Sequence, residues 1–112
     1  MSYSFPPSVT PQEVKEKLDR QDPVVLLDVR EHAELAIVRL PNVLHIPMGE
    51  IPTRLNELKA HPDSEIVVLC HLGGRSMQVA SYLMSQGVAN VKNLDGGIDA
   101  WASEVDPSLP RY

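Results

Sequence analysis

One cysteine carries the strongest chemical signal in this chain. Cys70 ends the apolar run Ile66-Val67-Val68-Leu69 and precedes His71-Leu72-Gly73-Gly74-Arg75-Ser76, after which a helical pattern begins. A thiol between a strand end and a helix start is well placed to ionise, because a helix N-terminus or a nearby cation lowers its pKa, and the thiolate is the nucleophilic form. Gly73 and Gly74 allow a tight turn whose successive N–H groups point inward as an anion-binding nest. Arg75 adds a permanent charge at a helix start, where a cation otherwise opposes the helix dipole. Residues 71–76 are therefore read as the binding cradle of a thiolate, a persulfide anion or a bound oxyanion. Donors without acceptors are what such groups need.

The surrounding elements must hold that loop. Thr10-Pro11-Gln12-Glu13 is a helix start, with a capping threonine, a proline at the first helical position and a glutamate completing a capping box. Val24-Val25-Leu26-Leu27 before Asp28 and Ile66 to Leu69 before Cys70 are short, continuously apolar runs, as expected of strands buried in a parallel sheet. Val43 to Ile46 and Val91 to Leu94 are weaker strand candidates. Pro52 is expected to open a helix through Leu55 and Leu58. Ser76 to Gln86 is the clearest helix, with Val79, Ala80 and Leu83 on one face and Gly87 as its stop. Gly96-Gly97 turns the chain into a last helix, in which Ile98, Trp101, Ala102 and Val105 form a core stripe.

Alternating strand and helix patterns imply an α/β domain with a mainly parallel sheet. Ligands of open α/β sheets bind outside the carboxyl ends of the strands. Asp28 and Cys70 both occupy such ends and share one rim if their strands are neighbours.

Composition narrows the function classes. The 112 residues are the size of one domain, read as spanning 1–112 with a core at about 8–104 and an irregular tail at 105–112. The net charge of −5 disfavours a nucleic-acid partner. Met1 to Pro7 has neither the basic nor the apolar region of a signal peptide, and no apolar stretch approaches the ~20 residues of a membrane span. A lone cysteine makes no internal disulfide and fits a reducing compartment, so a cytoplasmic protein is expected, and it is read as a monomer. His32, His45, His61 and His71 lack ligand spacing, so no metal site is expected. His71 alone, beside the thiol, merits a test; its plain alternative is a solvent-facing loop residue.

Cys70 to Ser76 resembles the active-site loop of the rhodanese family, a Cys-x-x-Gly-x-Arg-Ser pattern. Leu27-Asp28-Val29-Arg30-Glu31, with Glu34-Leu35, resembles that family's first signature. Leu44-His45-Ile46-Pro47 resembles the segment after it, and Asn93 to Trp101 the C-terminal signature. The tail through Asp106-Pro107-Ser108 to Pro110-Arg111-Tyr112 is similar to that of small bacterial single-domain members. The resemblance implies a central, mainly parallel five-stranded sheet flanked by helices on both faces. It also implies a sulfurtransferase without a cofactor. Cys70 would take a sulfane sulfur from a small anionic donor such as thiosulfate, become a persulfide, and yield the sulfur to a thiol or cyanide. Backbone N–H groups from His71 to Ser76 would cradle the sulfur, with Arg75 closing the loop and helping to hold the donor. Asp28 and Arg30 would brace the loop from the adjacent strand end. Two covalent steps imply ping-pong kinetics.

The chain departs from the family's usual Gly-His-Ile-Pro-Gly-Ala, having Val38-Arg39-Leu40-Pro41-Asn42-Val43 there. Asn42 tolerates left-handed backbone angles, so the turn is expected to survive. Two other readings compete with small-molecule turnover. One is a persulfide relay or interaction module served by a partner protein. The other is a cysteine phosphatase. That chemistry uses a Cys-x5-Arg loop, whereas only four residues separate Cys70 from Arg75, a smaller ring suited to a terminal sulfur.

Overall fold

The fold is described from a computed structural model covering residues 5–112; the part of the signal-peptide reading that falls on Met1–Ser4 lies outside the described residues. In chain order the elements are β1 (Ser8–Val9), α1 (Pro11–Asp19), β2 (Val24–Asp28), α2 (His32–Ile37), β3 (Leu44–His45), a 3-10 segment (Met48–Arg54), α3 (Leu55–Lys59), β4 (Glu65–Leu69), α4 (Gly74–Ser85), β5 (Val91–Leu94) and α5 (Gly97–Glu104). The strands form one five-stranded sheet in the order β1-β5-β4-β2-β3, with every pairing parallel.

The period-2 alternation of the central strands builds two cores. Leu27 of β2 and Ile66 and Val68 of β4 face one side, where they meet Ile51, Leu58 and the α4 stripe Val79, Ala80 and Leu83. Leu26, Val67 and Leu69 face the other, against Val14 of α1 and Ile98 and Trp101 of α5. Burial on both faces explains why these strands read as unbroken apolar runs. Cys70 continues the first set and lies on the α4 side.

Local signals held at α1, where the Glu13 N–H donates to Thr10 Oγ1 and the Glu13 carboxylate accepts from the Thr10 N–H. They gave out at three places. The fifth strand, Ser8–Val9, is two residues long and exists through its pairing with Asn93 and Leu94, so no periodicity could reveal it. Pro52 lies inside the 3-10 segment rather than opening a helix, and the α-helix starts at Leu55. Helix α2 was not anticipated, because its start uses an acidic pair: Glu34 Oε1 accepts from the Glu31 N–H at 3.0 Å. Asn42 takes φ +61, so the turn survives the loss of the usual glycine. Arg39 is exposed and forms no ion pair among the described residues. No described helix is long and apolar enough to cross a membrane.

Candidate active site

Strands β2 and β4 are neighbours, with Asp28 opposite Leu69. Asp28 and Cys70 therefore occupy one rim of the sheet. Cys70 is only 1% exposed. Its Sγ accepts from the Gly73 N–H at 3.1 Å and lies 3.3 Å from Ser76 Oγ. The Ser76 hydroxyl is also 3.2 Å from the Gly73 carbonyl, so its one proton has two acceptors to choose from. With the thiol protonated, S–H donates to Ser76 Oγ; on ionisation the hydroxyl can turn to the sulfur. Burial pushes the thiol up. The Ser76 hydroxyl and the N–H groups of Ser76, Gly73 and Leu72 outweigh burial and hold it below the usual thiol value.

Gly73 makes the turn, with φ +113, and α4 begins at Gly74. The loop's N–H groups can face the sulfur because its carbonyls are engaged elsewhere. The Ile98 N–H donates to the Cys70 carbonyl at 2.9 Å, and the Asp99 N–H to the His71 carbonyl at 3.1 Å. The first turn of α5, whose N–H groups lack intrahelical partners, thus holds the loop from behind. Gly97 permits that approach. A Cβ there would sit 2.5–2.7 Å from the Cys70 and His71 carbonyl groups, and its φ is +62. From β5, Asn93 Nδ2 reaches the Gly73 carbonyl at 3.4 Å. Asn93 and Gly97 lie in the C-terminal signature, and their contacts with the loop come from the fold. Two adjacent glycines before a helix were the available signal.

The remaining predicted site residues are placed differently from expectation. Asp28 and Arg30 form a wholly buried pair: Arg30 Nη2 donates to Asp28 Oδ2 at 2.8 Å, and Arg30 Nε to Asp28 Oδ1 at 3.0 Å. Arg30 also donates to the Val38 carbonyl at 2.8 Å and the Glu34 carbonyl at 3.3 Å. Neither side chain hydrogen-bonds residues 70–76 among the described residues. The pair therefore pins the segment around α2 rather than bracing the cysteine loop directly. Its guanidinium is drawn to the nearest carboxylate and carbonyls because burial leaves no water to satisfy it.

Arg75 is not an open anion holder. Its Nη1 and Nη2 donate to Glu34 Oε1 and Oε2 at 2.6 and 2.8 Å, a bidentate pair. His71 is not a solvent-facing loop residue either. Its ring stacks on Tyr112 with centroids 3.9 Å apart and 8° between planes. The irregular tail thus returns to the site. Tyr112 Oη donates to Glu34 Oε2 at 2.6 Å and accepts from Arg30 Nη1 at 3.1 Å, while Arg111 pairs with Asp99 at 3.0 Å. The Arg75 pair, opposed by burial and aided by Tyr112, holds Glu34 down at about 2. Leu72, by contrast, is 63% exposed beside the buried thiol.

Comparison with known proteins decides the family. A model of the Rhodanese-like domain matches residues 10–104. The chain belongs to the rhodanese-like family. A rhodanese-like domain protein from Staphylococcus aureus superposes with a TM-score of 0.80 at 35% identity, covering 95% of this chain and 98% of that one. A protein of Allochromatium vinosum named Sulfurtransferase is 41% identical over 91 residues, 81% of this chain and 83% of that protein. The Rhodanese-like/PpiC domain-containing protein 12, chloroplastic, of Arabidopsis thaliana is 44% identical over 99 residues, 82% of this chain. This chain spans only 33% of the Arabidopsis protein's length. The all-parallel five-stranded sheet is that of the rhodanese-like fold, as the motifs implied. The family match ends at residue 104, before the tail that reaches back to His71 and Glu34.

Within the rhodanese-like frame, the loop after β4 can hold an anion on sulfur in a pocket of N–H groups and one hydroxyl.

Proposed function

We propose that this rhodanese-like protein transfers sulfane sulfur through a persulfide on Cys70. The ring of donors around Cys70 Sγ, the Gly73 N–H at 3.1 Å and Ser76 Oγ at 3.3 Å, is the observation that carries this reading. In the first step the Cys70 thiolate attacks the outer sulfur of a donor such as thiosulfate. The new S–S bond forms as the donor's S–S bond breaks, and sulfite leaves with the electron pair. In the second step a thiol or cyanide attacks the outer sulfur of the persulfide, and the Cys70 thiolate departs. Charge balances in both steps, and no outside oxidant is required. The donors around the sulfur stabilise the leaving thiolate as well as the attacking one, so one cradle serves both half-reactions.

Support for sulfur transfer as a class comes from the family and from the Allochromatium relative's name. Thiosulfate as donor and cyanide as acceptor belong to the proposal. Intact mass after incubation with thiosulfate tests it. The expected result is a gain of one sulfur that is absent from Cys70→Ser. No gain with thiosulfate or with an organic persulfide would sink the reading.

One observation favours a relay variant, in which the sulfur comes from or goes to a partner protein. Leu72 presents a 63% exposed apolar side chain two residues from a thiol that is 1% exposed. Loading of Cys70 from a protein persulfide, with no turnover of small donors, would select the relay. An aryl-phosphate assay separates phosphatase chemistry, and no Cys70-dependent rate is expected there.

A further inference from the structure

We infer that Glu34 and Tyr112 form a charge filter at the mouth of the Cys70 site, favouring sulfur donors of low charge, such as alkyl persulfides, over dianions such as thiosulfate. The inference deepens the persulfide reading of Cys70 and rests on it.

Both terminal nitrogens of Arg75 are taken by the two oxygens of Glu34, at 2.6 and 2.8 Å. The pair is electrically neutral as a unit and has the bidentate geometry in which guanidinium and carboxylate bind most strongly. It is not a sealed structural pair, because the Arg75 side chain is 35% exposed and that of Glu34 is 18% exposed. An anion from solvent can therefore reach it, but must displace a carboxylate to engage the guanidinium.

Tyr112 tightens the pair. Arg30 Nη1 donates to the phenol oxygen at 3.1 Å, so the phenol's single proton is directed to Glu34 Oε2, 2.6 Å away. The phenol ring lies flat on His71 at 3.9 Å, and Arg111 ties the same segment to Asp99 of α5. Glu34 thus gains a second donor that holds it on Arg75. The low pKa of Glu34, about 2, keeps this carboxylate charged across the pH range of any sulfur-transfer assay.

The consequence differs between donors. Thiosulfate brings two negative charges to a mouth whose loop cation is already matched. An alkyl persulfide brings one as R–S–S− and none as R–S–SH, the form whose outer sulfur a thiolate attacks. The Cys70 thiolate attacks its outer sulfur, the donor S–S bond breaks, and the alkyl thiolate leaves and takes the proton from the transferred sulfur. The products are the Cys70 persulfide anion and a free thiol. The N–H cradle acts on the transferred sulfur in both cases, so the filter acts on binding the donor and not on the transfer itself.

Glu34→Gln removes the charge while keeping one of the two oxygens, enough for either Tyr112 or the Glu31 N–H. Steady-state rates with thiosulfate and with ethyl persulfide test the filter. For Glu34→Gln, KM for thiosulfate should fall by about tenfold, on the scale of one hydrogen bond to a charged group. KM for the persulfide should stay within twofold, with kcat unchanged for both. Tyr112→Phe keeps the stack on His71 and should move thiosulfate KM in the same direction by a smaller factor. That variant carries the test if Glu34→Gln fails to fold. An unchanged thiosulfate KM, or an equal change for both donors, would overturn the filter alone. Absence of a sulfur adduct on the unsubstituted protein from either donor would overturn the persulfide reading and the filter with it.

Discussion

The ends of β2 and β4 lie side by side on one rim, yet they hold their polar groups in opposite ways. At the β2 end, Asp28 and Arg30 satisfy each other, and the remaining guanidinium donors go to the Val38 and Glu34 carbonyls and to Tyr112. At the β4 end, Cys70 meets backbone N–H groups and one hydroxyl. Full mutual satisfaction makes the first end a fastener. Donors around a group that can carry negative charge suit the second end to holding a thiolate. Burial is the same in kind, with Asp28, Arg30 and Cys70 all at or below 1% exposure, so burial does not distinguish them.

The largest test of this contrast removes half of the fastener. Asp28→Ala leaves the Arg30 charge buried without its counter-ion, and should cost about 3–5 kcal/mol of stability. Urea denaturation reads this directly; a loss under about 1 kcal/mol would mean that the pair is not what holds the β2 end.

Next comes the support behind the cysteine loop. Gly97→Ala forces a Cβ to within 2.5–2.7 Å of the Cys70 and His71 carbonyl groups at φ +62. A loss of about 1–3 kcal/mol is expected from the backbone strain. The rate of sulfur loading should fall with it, because the carbonyls that orient the cradle must move. Retention of full stability and loading together would show that α5 does not shape the loop.

A narrower change tests the cradle itself. Ser76→Ala removes a hydroxyl that lowers the Cys70 pKa, so the thiol should titrate at higher pH. The loading rate, which follows the thiolate, should then rise at higher pH than in the unsubstituted protein. At acidic pH it should drop on the order of tenfold, the scale of one hydrogen bond to a charged group. At alkaline pH, where the thiol is ionised in both, the two rates should converge. A uniform drop at every pH would assign Ser76 a role in shape rather than in ionisation.

The smallest effect belongs to Gly74. A Cβ there meets nothing within 4 Å, and Gly74 starts α4 without a positive φ. Gly74→Ala should be neutral or stabilise by at most about 1 kcal/mol, through the unfolded chain. Set beside Gly97, it separates a glycine the site requires from one it tolerates.

Much of the frame was legible before any coordinates. The apolar runs ending in Asp28 and Cys70 announced two buried parallel strands, and the Thr10–Glu13 capping box announced α1, because these signals are local and periodic. The loop from Cys70 to Ser76 was legible too, since its glycine and its following helix lie within a few residues of the thiol. The contacts that Glu34, Asn93 and Tyr112 make with the loop were not, although all three fall in segments with a family resemblance. Each acts on the loop from 20 or more positions away, and nothing in a neighbouring residue announces that contact.

The sequence by itself determined the candidate nucleophile, the tight turn after it and the alternating α/β pattern that puts both at a strand end, because those follow from short-range sterics and burial. Only the tertiary structure decided what surrounds that group. It placed α5 behind the loop carbonyls, gave Arg75 to Glu34, and laid Tyr112 on His71. A guanidinium can pair with any carboxylate that the fold brings within reach, and the choice among fifteen acidic residues is made by chain topology rather than by spacing.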